Sequence, residues 1–439
     1  MVTGSNFLLD TGGGKFLIDC GLMQGEHDER NWEDFPYDPA SISHLIVTHA
    51  HIDHIGRIPR LVKKGFKGSI ISTKATLALA EPLLLDAMDI VAHAAERGGH
   101  EELYGKEHIA GAMRLWRGIG YHEQVELPDG VSLELLDAGH ILGSAMARLS
   151  REGRVVVFTG DLGGGNSPLL PPTEDVSDAT YLVMEATYGD KVRPDDKNRR
   201  EQLENVIEDA VARGGTLLIP AFSTERTQDL MYEIRNLMVE KRVPSVPVFV
   251  DSPLAQKITA AFVSHPEYFS PDIRARVEAG EDIFGFPELK FVEGMEASRK
   301  VHDIAGPKII LAGSGMSSGG RVIQHERVLL PDPRSTLLIV GYQAAGTIGR
   351  RLIEGAKTLQ IYREHIPVRA AVQTLYGYSA HRDSESLLEF ANKTAASAEE
   401  VFVVHAEPAA AAFLSQRIRD YLGVKTTIPE AGQRAVLQF

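Results

Sequence analysis

Apolar residues along this chain fall in short runs separated by amphipathic stretches. The runs "GKFLID", "SHLIVTH", "VSLELLDAGH", "RVVVFTGD" and "ATYLVMEAT" are dense in aliphatic and β-branched side chains, and each predicts a buried strand. Ile55, Ile58, Leu61 and Val62 share one helical face, which Gly65 ends. Residues 74–122 read as mostly helical. A second series follows, "GTLLIP", "VPVFVD", "PKIILAGSG" and "STLLIVGYQ", with helical patterns between its members. Strands alternating with helices predict an α/β chain with parallel strands and helical crossovers. The polar segment "PDDKNRR" near 194 marks a boundary. After about 367 a last strand–helix series returns, "RAAVQTLYGYSAH" and then "VFVVHAEPAAAAFLSQRI".

At 439 residues the chain is too long for one ordinary core, which predicts two domains or one domain with a large insertion. Apolar content of 43% and charged content of 24% are those of a soluble globular protein. No apolar stretch reaches the length of a membrane span. The N-terminus lacks the basic segment and apolar core of a signal peptide. The single cysteine, Cys20, excludes an internal disulfide and a cysteine-based zinc cluster, so a cytoplasmic protein without membrane contact is expected. A net charge of −14 disfavours holding nucleic acid by bulk charge. Binding a polyanion would need bound metal and a local basic cleft.

Candidate chemistry sits at the ends of the apolar runs. Asp19, His49, His140, Asp161, Glu185 and His405 each follow one at its C-terminal end, where a rigid sheet can aim polar groups into a shared cleft. The densest point is "HAHIDH", with His49, His51, Asp53 and His54 in six positions. Imidazole nitrogen and carboxylate oxygen are zinc donors, and a catalytic site leaves a position open for water. His49 and His51 can reach one ion from a turn, with His140 completing that set. Asp53 and His54 suit a second ion, and Asp161 can bridge the two. Burying three imidazoles and a carboxylate without metal would leave costly unmatched polar groups. His93, His100, His108 and His122 lack ligand spacing and read as surface residues.

"THAHIDH" together with Asp19, His140 and Asp161 resembles the metallo-β-lactamase fold, an αββα sandwich with a dinuclear zinc site between its sheets. The second half is more specific. "VMEATYGD", "GYSAHRD" and "VVHAEP" resemble motifs A, B and C of the β-CASP group. "IPAFSTERTQDLMY", "VDSPLA", "LAGSGMSSGGR" and "VGYQAAGTIGRRL" resemble its inserted α/β domain, a parallel sheet flanked by helices. The chain thus resembles a prokaryotic β-CASP ribonuclease, similar to the nuclease subunit of the polyadenylation machinery. The resemblance implies a first domain over 1–193 and 368–439, with the insertion over 194–367. It implies two zinc ions per chain, one held by His49, His51, His140 and Asp161, the other by Asp53, His54, Asp161 and His405. Asp19 would orient the ligands. Glu185 would pair with His381, which would protonate the leaving oxygen. Histidine at the position of His405 goes with RNA rather than DNA.

The residues agree with this reading on chemical grounds. A bridging hydroxide made by two zinc ions, with Asp53 among the groups at the reaction centre, could attack an in-line phosphorus. An imidazole has the right pKa range to protonate the leaving ribose oxygen, and Glu185 would favour its charged form. The plain alternative for His381 is a residue at a helix start, with Asp383 as N-cap. For single-stranded RNA, glycine-rich turns after strands suit phosphate. The expected contacts are Ser223 and Arg226, then Ser314, Ser317, Ser318 and Arg321, then Thr347 and Arg350, with Arg351 beside the last.

Two departures from the family stand out. Relatives begin with a strand before "VTGS", where this sequence has Met1, so a sheet edge is expected to be exposed. "HAE" replaces the commoner "HGE", so Ala406 is expected to strain a left-handed turn and shift His405. No extra RNA-binding domain is read at either end, and a homodimer stays open. The rival readings are a hydrolase of a small, non-RNA substrate on the same fold and a non-catalytic RNA-binding partner subunit. The inserted domain speaks against the first, and the full ligand set against the second.

Overall fold

The computed structural model describes residues 3–192, 198–341, 343, 346–375, 377–378 and 380–439, the side chains of 26 and 27 excepted. The core of the expected boundary segment, 193–197, lies outside the described residues, as does Ser379 of "GYSAH". The chain divides into two compact units. One comprises 1–165, 170–192 and 380–439, the other 166–169 and 193–379.

The first unit stacks two sheets. One has the order Phe7–Asp10, Lys15–Ile18, His44–Ile46, Ser69–Thr73, Trp116–Ile119, parallel except for its first pair. The other runs Lys425–Thr427, Glu400–Val404, Tyr181–Glu185, Arg154–Phe158, Ala145–Arg151, Ser132–Asp137, Val125–Glu126. The two-residue period of a strand explains how the second sheet serves two layers. Tyr181, Val183, Phe402, Val156 and Phe158 point inward and join Phe16, Ile18, Ile46 and Ile71 of the facing sheet in one core. Leu182, Met184, Val401, Val403, Val155 and Val157 point the other way, against Leu387, Phe390 and Leu414 on helices Ser384–Thr394 and Pro408–Arg417. Helices Lys74–Gly98 and Lys106–Leu115 cover the first sheet, which completes the αββα layering. Asp383 caps its helix as expected, accepting from Ser386 N.

One sequence expectation needs correction here. The stretch 74–122 is not helical to its end. Its two helices end at Gly98 and Leu115, and Trp116–Ile119 adds a fifth strand to the first sheet, with Trp116 Nε1 donating to Ser72 Oγ at 2.9 Å. Four residues are too few for periodicity to reveal a strand. Phe7–Asp10, likewise unmarked by pattern, forms the edge of that sheet.

The second unit carries a six-stranded parallel sheet. Its order is Leu289–Phe291, Val248–Asp251, Lys308–Ala312, Thr216–Pro220, Thr336–Val340, Ala371–Leu375. Its central strands are buried along their whole length, as expected where helices cover both faces. The strand Ala371–Leu375 pairs with Thr336–Val340, and the first unit resumes at Ala380 rather than at 368. An apolar run looks the same whichever sheet it joins, so only pairing assigns it.

Candidate metal centre

Each donor is presented by a strand end or the turn after it. His49 lies just beyond strand His44–Ile46. His51 precedes the short helix Ile52–Ile55, whose first turn carries Asp53 and His54. His140 sits in the turn after Ser132–Asp137, its backbone N–H donating to Ser144 Oγ at 2.9 Å. Asp161 follows Arg154–Phe158 through Gly160, which has φ 54°. A Cβ on Gly160 would lie 2.7 Å from Thr48, so only glycine lets the two turns approach this closely.

The donors form two sets joined by one carboxylate. His49 Nε2 and His140 Nε2 lie 3.0 and 3.3 Å from His51 Nδ1, and both lie 3.5 Å from Asp161 Oδ2. The other oxygen, Asp161 Oδ1, lies 3.3 Å from His54 Nε2 and 3.7 Å from His405 Nε2. Asp53 Oδ2 lies 4.0 and 3.5 Å from the same two nitrogens. Two donors about 2.0–2.1 Å from one tetrahedral ion stand roughly 3.3 Å apart, so both sets have the separation a metal requires. His54 Nε2 and Asp161 Oδ1 are buried without a hydrogen-bond partner, the condition of atoms that a metal would satisfy.

Groups behind the donors set their orientation and tautomers. Asp19, in the left-handed region at φ 58°, accepts from Thr48 N and Thr48 Oγ1 at 2.8 and 2.9 Å, and from Ser5 Oγ at 3.2 Å. Its Oδ2 lies 2.7 Å from His54 Nδ1, which leaves His54 Nε2 free for metal. Thr48 Oγ1, having given its proton to Asp19, can accept from His49 Nδ1 at 3.1 Å, which likewise frees His49 Nε2. Sequence reasoning missed Thr48 and Ser5. Thr48 was findable from its place between strand and cluster, whereas nothing local marks Ser5.

Electrostatics favour the neutral imidazole that metal binding needs at His49, His51 and His140, whereas at His54 burial is outweighed by Asp161 and Asp19, which hold the imidazole well above its usual range, so an ion there would displace a proton. Burial holds the His49 and His140 imidazoles well below their usual range and brings His51 down to about 4. Burial pushes Asp161 upward, but the surrounding His54, His405 and His49 outweigh it and keep the carboxylate far below its usual range.

Beside the first set stands His381, bridged to Gly163, its ring tilted against the His140 ring with centroids 4.6 Å apart. Its Nδ1 lies 3.1 Å from Glu185 Oε1. Glu185 is buried, and its carboxylate is held by Leu162 N at 2.8 Å and Thr187 N at 3.0 Å. Burial opposes a charge on His381, but Glu185 overrides it and lifts the imidazole to about 9. Tyr188, also unforeseen, sets its ring edge against His381 at 5.7 Å. The expected strain at Ala406 is not found. The left-handed residue is His405 itself, at φ 50°, and Ala406 is an ordinary buried residue of the helix-side core.

Comparison with known proteins fits this geometry. Residues 2–219 match the Metallo-beta-lactamase superfamily, 227–352 the Beta-Casp domain, and 365–429 the Zn-dependent metallo-hydrolase RNA specificity domain. Ribonuclease TTHA0252 of Thermus thermophilus is 37% identical over 390 residues, covering 89% of this chain and 88% of that one. The chain belongs to the β-CASP ribonuclease family. A second relative is transcription termination factor FttA of Methanosarcina mazei, 33% identical over 96% of this chain and 68% of its own. A solved structure of a protein of unknown function from Enterococcus faecalis has TM-score 0.59 at 12% identity, covering 100% of this chain and 97% of that one, a likeness of fold alone. A metallo-β-lactamase core implies divalent metal at the donor cluster just described.

In this β-CASP chain the expected phosphate contacts separate by burial. Ser317 is wholly buried and donates to Glu326, so its hydroxyl cannot meet a phosphate. Arg321 is committed to an ion pair with buried Asp251, and buried Arg226 packs over the Tyr378 ring. Thr347 caps the helix Ile348–Ile353, and exposed Arg350 pairs with Glu354 at 2.7 Å. Ser223, Ser314 and Ser318 remain at the surface or half-buried. His93, His100, His108 and His122 take no part in the cluster.

Proposed function

We propose that the protein is a zinc-dependent ribonuclease that hydrolyses phosphodiester bonds of single-stranded RNA. One observation carries this reading. Asp161 turns one oxygen to each of two donor sets, and an imidazole held by a buried glutamate stands beside them. Two zinc ions held there would generate a nucleophile from water at neutral pH and stabilise charge on the phosphate. The remaining work falls to side chains. His49, His51, His140 and Asp161 would hold one ion, and Asp53, His54, Asp161 and His405 the other. Asp19 and Thr48 lock the tautomers. Glu185 grips His381 Nδ1 and leaves Nε2–H to protonate the leaving ribose oxygen. A cytoplasmic setting fits a chain whose one cysteine is buried and unpaired.

The test is cleavage of end-labelled single-stranded RNA by this chain beside His381→Ala, with metal measured in both. Cutting by the parent, loss in the variant and equal metal content support the reading. Parental cutting by the variant would remove His381 from the chemistry. No cutting of any RNA by the metal-loaded parent would overturn the ribonuclease reading itself.

A further inference from the structure

Strands Tyr181–Glu185 and Glu400–Val404 lie side by side and parallel, with Glu185 opposite Val404. The first ends in Glu185, and His405 follows the second. One more ladder bond extends the pair, Ala186 N donating to Val404 O at 3.0 Å. There the strands part. His405 turns into the left-handed region at φ 50°, which is unfavourable for a residue with a Cβ. Such a turn persists only where its surroundings hold it.

Thr187 stands where that hold is needed. Its Oγ1 donates to His405 O at 3.3 Å, and among the described residues no other group donates to that carbonyl. Its backbone N–H serves a different group, donating to Glu185 Oε2 at 3.0 Å. The turn that carries Thr187 is itself fixed. Gly189 N donates to Ala186 O at 3.0 Å, and Ser384 N to Lys191 O at 2.8 Å. A Cβ on Gly189 would come within 2.6 Å of Ala410 O, so the turn lies directly on helix Pro408–Arg417.

His405 depends on its backbone more than its fellow donors do. His54 and His49 are oriented through their Nδ1 atoms, by Asp19 and Thr48. Among the described residues no side chain holds His405 Nδ1 in this way. Its Nε2 faces Asp53 and Asp161, and its ring lies tilted against His54 at 5.0 Å. The direction of its Cα–Cβ bond therefore follows from the turn at 405, and so from the peptide that Thr187 Oγ1 holds.

We propose that the Thr187 hydroxyl is a positioning group for His405, which pins the left-handed turn of that ligand and so sets how tightly the second donor set holds its ion. This rests on the two-metal reading of the site and adds a residue to it. The hydroxyl and the amide of Thr187 act separately, so removing the first leaves Glu185 and His381 paired.

The experiment titrates a chelator against the full zinc-loaded chain and counts the metal retained, with melting temperature and cleavage of single-stranded RNA followed alongside. Parent, Thr187→Val and Thr187→Ser are compared. Valine keeps the shape and the backbone N–H but not the hydroxyl, whereas serine keeps the hydroxyl. In Thr187→Val one zinc ion is expected to leave at roughly tenfold lower chelator concentration. That is the low end for groups that orient a ligand, because this one acts on the backbone rather than the ring. The other ion should leave as in the parent, and Thr187→Ser should match the parent throughout. Cleavage by Thr187→Val should fall as its weaker ion leaves and return to the parental rate when zinc is restored. Release of both ions by Thr187→Val at parental chelator concentrations would overturn the proposal. Weaker retention in both variants, with lowered melting temperature, would make the side chain a packing element and equally overturn it. Slow cutting by Thr187→Val with both ions bound would move the effect to the Glu185–His381 pair, against the proposal. A parent that holds two zinc ions but cuts no RNA would sink the ribonuclease reading alone, since the metal titration still decides the role of Thr187. A parent that holds no zinc would sink both.

Discussion

Asp19 Oδ2 lies 2.7 Å from His54 Nδ1, and the two side chains are almost wholly buried. The contact fixes which imidazole nitrogen faces Asp161. Carboxylates in this position typically affect metal affinity by 10- to 100-fold, on the order of that range here. Asp19→Ala is therefore expected to lose metal to a competing chelator at roughly 10- to 100-fold lower chelator concentration. Unchanged retention in that titration would show that Thr48 and the fold orient His54 without Asp19.

His405 reaches only the second donor set, through Asp53 and Asp161. Elemental analysis of His405→Ala should find about half the parental metal. Asp161→Ala touches both sets and should lose most of it. Full metal content in His405→Ala would remove that residue from the ligand set.

Glu185 and His381 act as a pair 3.1 Å apart. Loss of a positioned general acid costs about 10²- to 10⁴-fold in rate. His381→Ala should fall in this range with metal retained, and Glu185→Gln should fall less, because the imidazole remains. A Glu185→Gln rate equal to the parent's in single-turnover cleavage would show that His381 needs no carboxylate behind it.

Glu326 offers a pH test away from the metal centre. Burial pushes its carboxyl from the ordinary 4.5 up to about 7, with the Ser317 hydroxyl pulling the other way. A raised carboxyl pKa means that the folded state binds the proton more tightly than the unfolded state. Its penalty is absent below about 4.5, grows as pH rises towards about 7, and is complete above that. Glu326→Gln keeps an acceptor for Ser317 and removes the titration. Its stability relative to the parent, from denaturant melts, should rise between pH 5 and pH 8 by on the order of 3 kcal/mol at most. Asp137 and Asp229 are also raised by burial, so the parent-minus-variant difference is the quantity to read. A flat difference would mean that Glu326 is not buried as a neutral acid.

The donor cluster was legible in the sequence because its chemistry is local. His49, His51, Asp53 and His54 lie within one turn, and each remaining donor follows an apolar run whose period already marks a strand. Donor type and strand-end position are properties of a few consecutive residues. Tertiary structure alone decided the rest. It paired Trp116–Ile119 and Ala371–Leu375 with their sheets, and brought Ser5 and Thr48 to Asp19. It placed the left-handed turn on His405 rather than Ala406. It also divided Ser317 and Arg321 from Ser314 and Ser318, four neighbouring residues that were all expected to meet phosphate. Strand pairing and burial depend on partners far along the chain, and no local pattern of side chains carries that information.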